Sequence, residues 1–424
     1  MERNNLNQFL KVLGPGIMFA GTCIGGSHLL QSTKAGAYYG FGLLAVVLIA
    51  NIFKYPFFEF ASRYTNSTGD SILEGYNKLG KGPIALYGIV TFFSMFIITA
   101  AIIAFTSGLA NNLCSSLFGL NIDATYWPII ISGLVLGLLS YGKFKILDIT
   151  LKIIGLVLVV SISTAFFSTL NQPLHSEPIK AFEILSTTSG FAFAIYLMGW
   201  MPMGVDMSAW HSLWTQERIK QTGYHPKLKE TLLDFNIGYG ITVVLAIFFL
   251  SIGAKVMFGV ISPETIKSAT ALEYANLLVN AFTQAIGNWS LYIISIAAFA
   301  TMFGTAITLS DGYTRAITRT VSLLKKQQNN NAEKKQNYLI WVFILFTGSY
   351  LIILFLGKNL GQIMNLATGT SFVIAPVAAY FNYKIVNGTN IKKEHQPPKW
   401  LNILALVGLI FLSLSTVGYL SIIF

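Results

Sequence analysis

The chain has 424 residues, of which 54% are hydrophobic and only 11% charged. A soluble protein of this length would divide into domains with polar surfaces, so the composition excludes that class and points to one membrane-embedded unit. The formal net charge of +11 would suit a nucleic-acid partner, but its distribution along the chain follows apolar runs and argues for topology instead.

A helix needs about 20 apolar residues to cross the hydrocarbon core. Eleven such runs are predicted, centred near Ser27, Ile52, Ile97, Val135, Val157, Met201, Val244, Ile296, Phe346, Phe372 and Phe411. The first, Leu13–Phe41, is interrupted by Gly25-Gly26-Ser27-His28, and the sixth, Phe191–Trp214, by Met201-Pro202-Met203-Gly204-Val205-Asp206. Irregular backbone at membrane depth survives only where protein or a water-filled cavity covers its N–H and C=O groups. Two breaks in corresponding positions of a duplicated chain mark a carrier's substrate site. Between the eighth and ninth runs, Lys325–Asn337 is polar and of low complexity, which reads as a solvated linker.

Basic residues fall in alternate loops. They are Arg3 and Lys11; Arg63, Lys78 and Lys81; Lys143 and Lys145; Arg218, Lys220, Lys227 and Lys229; Arg315, Arg319, Lys325, Lys326, Lys334 and Lys335; and Lys384, Lys392, Lys393 and Lys399. The loops between hold little beyond Lys180, Lys267 and Lys358. Positive-inside bias then puts the N-terminus in the cytoplasm and, after an odd number of crossings, the C-terminus outside. No cleavable signal peptide is evident, because the N-terminus runs into a full-length span. The expected location is a bacterial inner (plasma) membrane. Cys23 and Cys114 lie at different depths, so no disulfide and no metal-type cysteine spacing is expected. No glycine-rich phosphate loop followed by lysine appears, which gives ATP-driven pumping no support, and no cofactor or enzymatic activity is expected. The partners implied are a transported ion or small solute and the bilayer, not nucleic acid; nothing in the sequence fixes an oligomeric state.

Four uninterrupted spans separate the two breaks. Spans 1–5 (about 1–170) and 6–10 (about 188–386) therefore read as two halves of a single domain, 1–424, with 399–424 an added eleventh span. Five spans per half is odd, so the halves are inverted relative to each other.

These residues resemble the NRAMP (natural resistance-associated macrophage protein) family of divalent-metal transporters. Gly14-Pro15-Gly16, the break and Ala35-Gly36-Ala37-Tyr38-Tyr39-Gly40 are similar to the family's opening helix. Ala61-Ser62-Arg63 with Thr68-Gly69, Met201-Pro202, Thr301-Met302-Phe303-Gly304-Thr305 and Phe372 to Pro376 add further matches. The resemblance implies an all-α LeuT-type fold of eleven transmembrane helices in a 5+5 inverted repeat, discontinuous in helices 1 and 6.

The chain also departs from that family. The first-helix metal motif, aspartate-proline-glycine-asparagine, is replaced by Gly25, Gly26, Ser27 and His28, so the ligating carboxylate is missing. The methionine ligand of the sixth helix maps onto Met201, but its two histidines map onto Met203 and Ser208, with His211 three residues further on. In the third span, Ile103 and Thr106 stand where proton-relay acids are expected, and Ile97–Ala110 holds no ionisable residue. The ninth span lacks the arginine that would complete the relay.

A dication without carboxylates loses hydration with no compensating charge. Asp206 is the nearest candidate to restore it, in the first turn of the second half-helix; the bland alternative is a capping Asp. Met201 and Met203 offer soft thioethers, with core packing the competing role and the better one for Met203. Met198, one turn earlier, reads as packing. His28 could be a metal ligand, a proton acceptor, a cation facing an anion, or a histidine bonded to a neighbouring carbonyl. Gly25 and Gly26 could present N–H groups to an anion, with Ser27, or simply allow close helix packing. The substrate-binding set is thus Gly25, Gly26, Ser27, His28, Met201, Met203 and Asp206, with Met201, Asp206 and His28 as metal ligands. Glu59 and Lys54 are read as pairing or snorkelling near the cytoplasmic end of the second span, and Asp234 and Asp311 as capping or gating residues.

Three functions remain open at this stage. A carrier of divalent metal (manganese, iron or magnesium) by alternating access, without the usual proton relay, is the leading expectation. A carrier of a small anion or zwitterion on the same scaffold is the alternative. A non-transporting sensor comes third, because no signalling domain follows the eleventh span.

Overall fold

A computed structural model of the chain describes residue 12 and residues 14–120, 122–141, 144–326, 331–356 and 359–424. Among these residues the protein is entirely helical, without strands. Arg3, Lys11, Lys143 and Lys358, used above for topology, lie outside them.

The first span is built from α1 (Pro15–Cys23), a π-helical segment (Ile24–Ser32) and α2 (Thr33–Tyr39). Then follow α3 (Leu44–Thr68), α4 (Ile72–Leu79), α5 (Lys81–Phe118), α6 (Trp127–Tyr141), α7 (Phe144–Thr169) and α8 (Ala181–Leu185). The sixth span comprises α9 (Thr188–Gly199), a 3₁₀ turn (Val205–Met207) and α10 (Ser208–Thr222). Next come α11 (Leu228–Ile252) with a second π segment (Gly253–Met257), α12 (Pro263–Ser268), α13 (Ala271–Ile286) and α14 (Leu291–Leu324). The chain ends in α15 (Asn331–Leu356), α16 (Leu360–Val386) and α17 (Lys399–Ile423).

By length and composition alone, seven of the described helices could cross a membrane: Leu44–Thr68, Lys81–Phe118, Leu228–Met257, Asn288–Leu324, Lys335–Leu356, Leu360–Val386 and Lys399–Ile423. The other four expected spans fall on the two interrupted ones and on α6 and α7. The linker expected at Lys325–Asn337 needs correction. From Asn331 onward it is the first turns of α15, because Ala332, Glu333, Lys334, Lys335 and Gln336 are strong helix formers.

Close backbone approach holds the first span against α11. A Cβ on Gly16 would stand 2.1 Å from the Asp234 carbonyl oxygen, and one on Gly238 would stand 2.2 Å from that of Gly16. Small residues allow such crossings where lipid supplies no hydrophobic drive between helices. The Asp234 carboxylate accepts from the backbone N–H of Gly14 (3.2 Å) and of Gly16 (2.8 Å). It thereby satisfies donors that the start of α1 would leave unpaired. At the far end, Gly36 meets the Leu250 carbonyl and Gly253 meets that of Thr33 in the same way. The first π segment lies between these two contacts, facing α11 and α14. The most extensive helix pairing is α14 on α5, which walls the site from the other side.

Candidate functional site between two interrupted helices

The two breaks differ in kind. The first is not unwound: Ile24–Ser32 stays helical but widens to π geometry, and every residue in it is buried. The expectation of an unwound stretch at Gly25–His28 is corrected accordingly. π turns inside α-helices recur at functional positions because they redirect side chains without losing the backbone ladder. The second break is a true interruption. The chain leaves helix at Trp200, passes through a cis Met201-Pro202 peptide and re-enters through the 3₁₀ turn at Val205.

Gly25 and Gly26 are sites of close packing. A Cβ on Gly25 would fall 2.2 Å from Thr305 Oγ1 and 2.9 Å from Met302 Sδ. One on Gly26 would fall 2.7 Å from both Ile102 Cδ1 and Trp200 Cζ3. Trp200 is held in place by donating from Nε1 to Ser371 Oγ at 3.0 Å.

His28 is completely buried. Its Nε2 lies 2.7 Å from the Thr242 carbonyl oxygen on α11, and its Nδ1 lies 3.0 Å from the Cys23 carbonyl oxygen and 2.5 Å from Ser27 Oγ. The Ser27 hydroxyl also lies against the Cys23 carbonyl. The ring thereby links the π segment to α11.

A cavity of about 20 Å³ lies between the breaks, lined by Thr22, Cys23, Gly26, Ser27, Trp200, Pro202, Met203, Met207 and Thr305, with Ile98, Ile102 and Leu309. That is room for about one water-sized body. Of the expected site residues, Gly26, Ser27 and Met203 line it, while Gly25, His28, Met201 and Asp206 do not. Met201 is fully buried with its sulfur 3.6 Å from Ser32 Oγ. Asp206 is buried in the 3₁₀ turn, and its Oδ1 has no hydrogen-bond partner. Among the described residues, no three His, Cys, Asp or Glu side chains gather as a metal-binding group. Cys23 and Cys114 are both free.

The residue that sequence reasoning misplaced is Lys54. It neither pairs with Glu59 nor snorkels. Its Nζ is fully buried and donates to the carbonyl oxygens of Met198 (2.5 Å), Gly199 (3.0 Å) and Met203 (3.1 Å). Glu59 instead pairs with Arg63, which also donates to the His395 carbonyl oxygen. A lysine two and a half turns from Arg63 looks like part of a cytoplasmic cluster. The signal that it is not is the absence of a second acid to match it, together with a broken helix whose carbonyls need donors.

Asp311 and His211 lie away from the cavity lining. Asp311 accepts from Arg315 Nε (2.8 Å), Trp214 Nε1 (3.1 Å) and the Tyr338 hydroxyl (2.8 Å). His211 Nδ1 lies 3.1 Å from Ser62 Oγ. In α5, Thr106 donates back to the Ile102 carbonyl oxygen at 2.7 Å, and Ile103 is buried.

Known proteins share the family and the fold. The family model described as "Natural resistance-associated macrophage protein-like" matches residues 16–421. An uncharacterized protein of Pasteurella multocida is 31% identical, over 99% of this chain and 94% of its own length. The divalent metal cation transporter MntH of Staphylococcus aureus is 25% identical over 60% of this chain, which spans only 57% of that relative. Among solved structures, the Eremococcus coleocola manganese transporter in complex with an aromatic bis-isothiourea substituted compound superposes with a TM-score of 0.73. The match covers 98% of this chain and 87% of that one at 13% identity. MhsT in complex with L-phenylalanine gives a TM-score of 0.64 at 15% identity, covering 95% and 98% of the two chains. The fold is thus all-α and LeuT-type, with its interruptions in the first and sixth spans. The chain belongs to the natural resistance-associated macrophage protein-like family and is an integral membrane transport protein, not an enzyme.

Proposed function

We propose that the chain is a secondary transporter of a divalent transition metal, manganese or iron in preference to magnesium, working by alternating access. The observation that carries this reading is the cavity between the two interrupted helices, whose lining includes the sulfur-bearing Cys23, Met203 and Met207, while the Thr22, Ser27 and Thr305 hydroxyls are turned onto backbone carbonyls. Sulfur donors favour softer transition metals over magnesium and calcium. The relatives named for divalent metal and manganese transport point the same way.

The anion or zwitterion alternative loses its main support. Among the described residues no Lys, Arg or His lines the cavity, and Gly25 and Gly26 are covered by side chains. Asp206, buried beside the cavity at the start of α10, supplies the negative charge that the first span lacks. Residues 1–170 and 188–386 form the two inverted halves in this reading, with the cargo between them. The N-terminus is cytoplasmic, the C-terminus outside, and the membrane a bacterial inner membrane.

The test is uptake by purified protein in liposomes, with manganese, iron, magnesium and small anions assayed in parallel. Uptake of manganese or iron above that of magnesium is expected; uptake of anions alone would overturn the proposal.

A further inference from the structure

We propose that Lys54 is a tethered cation filling the carbonyl end of the broken sixth span, and that a transported metal ion must displace its ammonium to bind there. The inference rests on reading the second break as part of the cargo's path.

The geometry is that of a cation site already filled. α9 stops at Gly199, and the last carbonyls of a helix have no intrahelical donor. They also carry the negative end of the helix dipole, which draws cations. Lys54, from α3, reaches into this end and meets the carbonyl oxygens of Met198, Gly199 and Met203. Three acceptors call for three N–H groups, the number an ammonium carries. The third carbonyl comes from beyond the cis peptide, so the ammonium ties the end of α9 to the chain that re-enters α10. Lys54 is completely buried, and no acidic group lies within ion-pair distance of it among the described residues. An ammonium held by carbonyls alone, at membrane depth, occupies the kind of position that an inorganic cation would take.

Two neighbours make the position consequential. The carboxylate of Asp206 is the charge close enough to act on Lys54. Asp206 keeps one buried oxygen without a partner, so an acceptor stands ready for the displaced ammonium. Met203 contributes its carbonyl to Lys54 and is also a residue of the cavity lining, which joins the two sites through one residue. A metal ion in the cavity meets the repulsion of the ammonium as long as Lys54 stays on the carbonyls. Exchange of the ammonium for the metal ion removes that repulsion. Lys54 in this way sets the affinity for cargo.

The decisive measurement is calorimetric titration of manganese into the full chain and into Lys54→Met and Lys54→Arg. Manganese should bind Lys54→Met at least tenfold more tightly than the unmodified chain, with Lys54→Arg no tighter than it. Equal or weaker binding by monodisperse Lys54→Met would overturn the proposal. Should Lys54→Met not remain monodisperse, Lys54→Ala is purified with methylammonium chloride or tetramethylammonium chloride. Methylammonium, small enough to take the vacated place, should restore monodisperse protein and raise its melting temperature, whereas tetramethylammonium should not. No difference between the two salts would overturn the proposal. Manganese uptake by the unmodified chain tests the cargo reading independently, since methylammonium rescue requires no cargo.

Discussion

Lys54 and Asp206 serve opposite ends of one broken helix without forming an ion pair. The ammonium sits on the carbonyls of Met198 and Gly199 that end α9, and the carboxylate sits in the 3₁₀ turn that starts α10. Each charge is at the helix end whose dipole favours it. The break is thereby charge-balanced yet unpaired, an arrangement that leaves both groups able to change partners.

Neutralising Asp206 upsets that balance. Asp206→Asn removes the one carboxylate beside the cavity while leaving Lys54 in place, so the local charge becomes net positive. Manganese affinity is expected to fall at least tenfold, or about 1.4 kcal/mol. Calorimetry on the purified variant checks this, and unchanged affinity would exclude Asp206 from cargo binding.

His28→Ala is expected to act on stability and not on affinity. The ring joins the π segment to the Thr242 carbonyl of α11, and its loss leaves buried polar groups unsatisfied at a cost of about 1–3 kcal/mol. Thermal unfolding should show a clear drop in melting temperature, with the KM for manganese uptake within about twofold of the original. A large rise in KM with an unchanged melting temperature would return His28 to the cargo site.

Much of the fold was legible because membrane spans announce themselves by length and apolar content, and because Gly-Gly and Met-Pro-Met-Gly stand out within such runs. The form of each break was less legible. Gly25-Gly26 reads as unwinding, yet Thr305, Met302, Ile102 and Trp200 press on both glycines from neighbouring helices, and the segment stays helical as a π turn. Proximity along the chain also misled. Asp206 and His28 flank the breaks in sequence, but a helix turns side chains away within one or two residues, and neither lines the cavity. Lys54 comes from another helix altogether, and a contact separated by 144 residues leaves no local pattern to read.

The methionines should separate in their effects. Met203 lines the cavity and Met201 does not. Met203→Ala is therefore expected to weaken manganese relative to magnesium, since a soft donor is lost. Met201→Ala should leave the ratio of the two ions unchanged and lower stability by about 2–5 kcal/mol through the buried space it opens. Competition uptake assays with both metals, paired with melting curves, distinguish the two; a selectivity change in Met201→Ala alone would reverse the assignment.

Filling the cavity wall should block binding directly. In Gly26→Val the new Cβ alone stands 2.7 Å from Trp200 Cζ3, and Trp200 is anchored to Ser371 and cannot easily give way. Manganese binding is expected to drop more than tenfold. Gly21→Val is the control, since a Cβ there meets nothing within 4 Å. Equal loss in both variants would mean that helix propensity, not the cavity, is responsible.

Uptake should proceed without stoichiometric proton entry. Proton movement through a membrane protein needs titratable groups or ordered water along the path. From Ile97 to Ala110, α5 has no ionisable side chain, and Leu339–Phe355 of α15 has no acid, base or histidine. Several buried ionisable groups elsewhere have partners: His28 lies against the Thr242 carbonyl and Ser27, Lys54 against three carbonyls, Glu59 against Arg63, and Asp311 against Arg315, Trp214 and Tyr338, whereas Asp206 Oδ1 and His211 Nε2 have none among the described residues. Liposomes loaded with a pH-sensitive dye, given manganese outside and a potassium diffusion potential, report both fluxes together. Manganese should accumulate in response to the potential while the internal pH stays level. One proton entering per manganese ion would show that a relay exists along a route other than α5 and α15, and Glu59→Gln would then be the first variant to test.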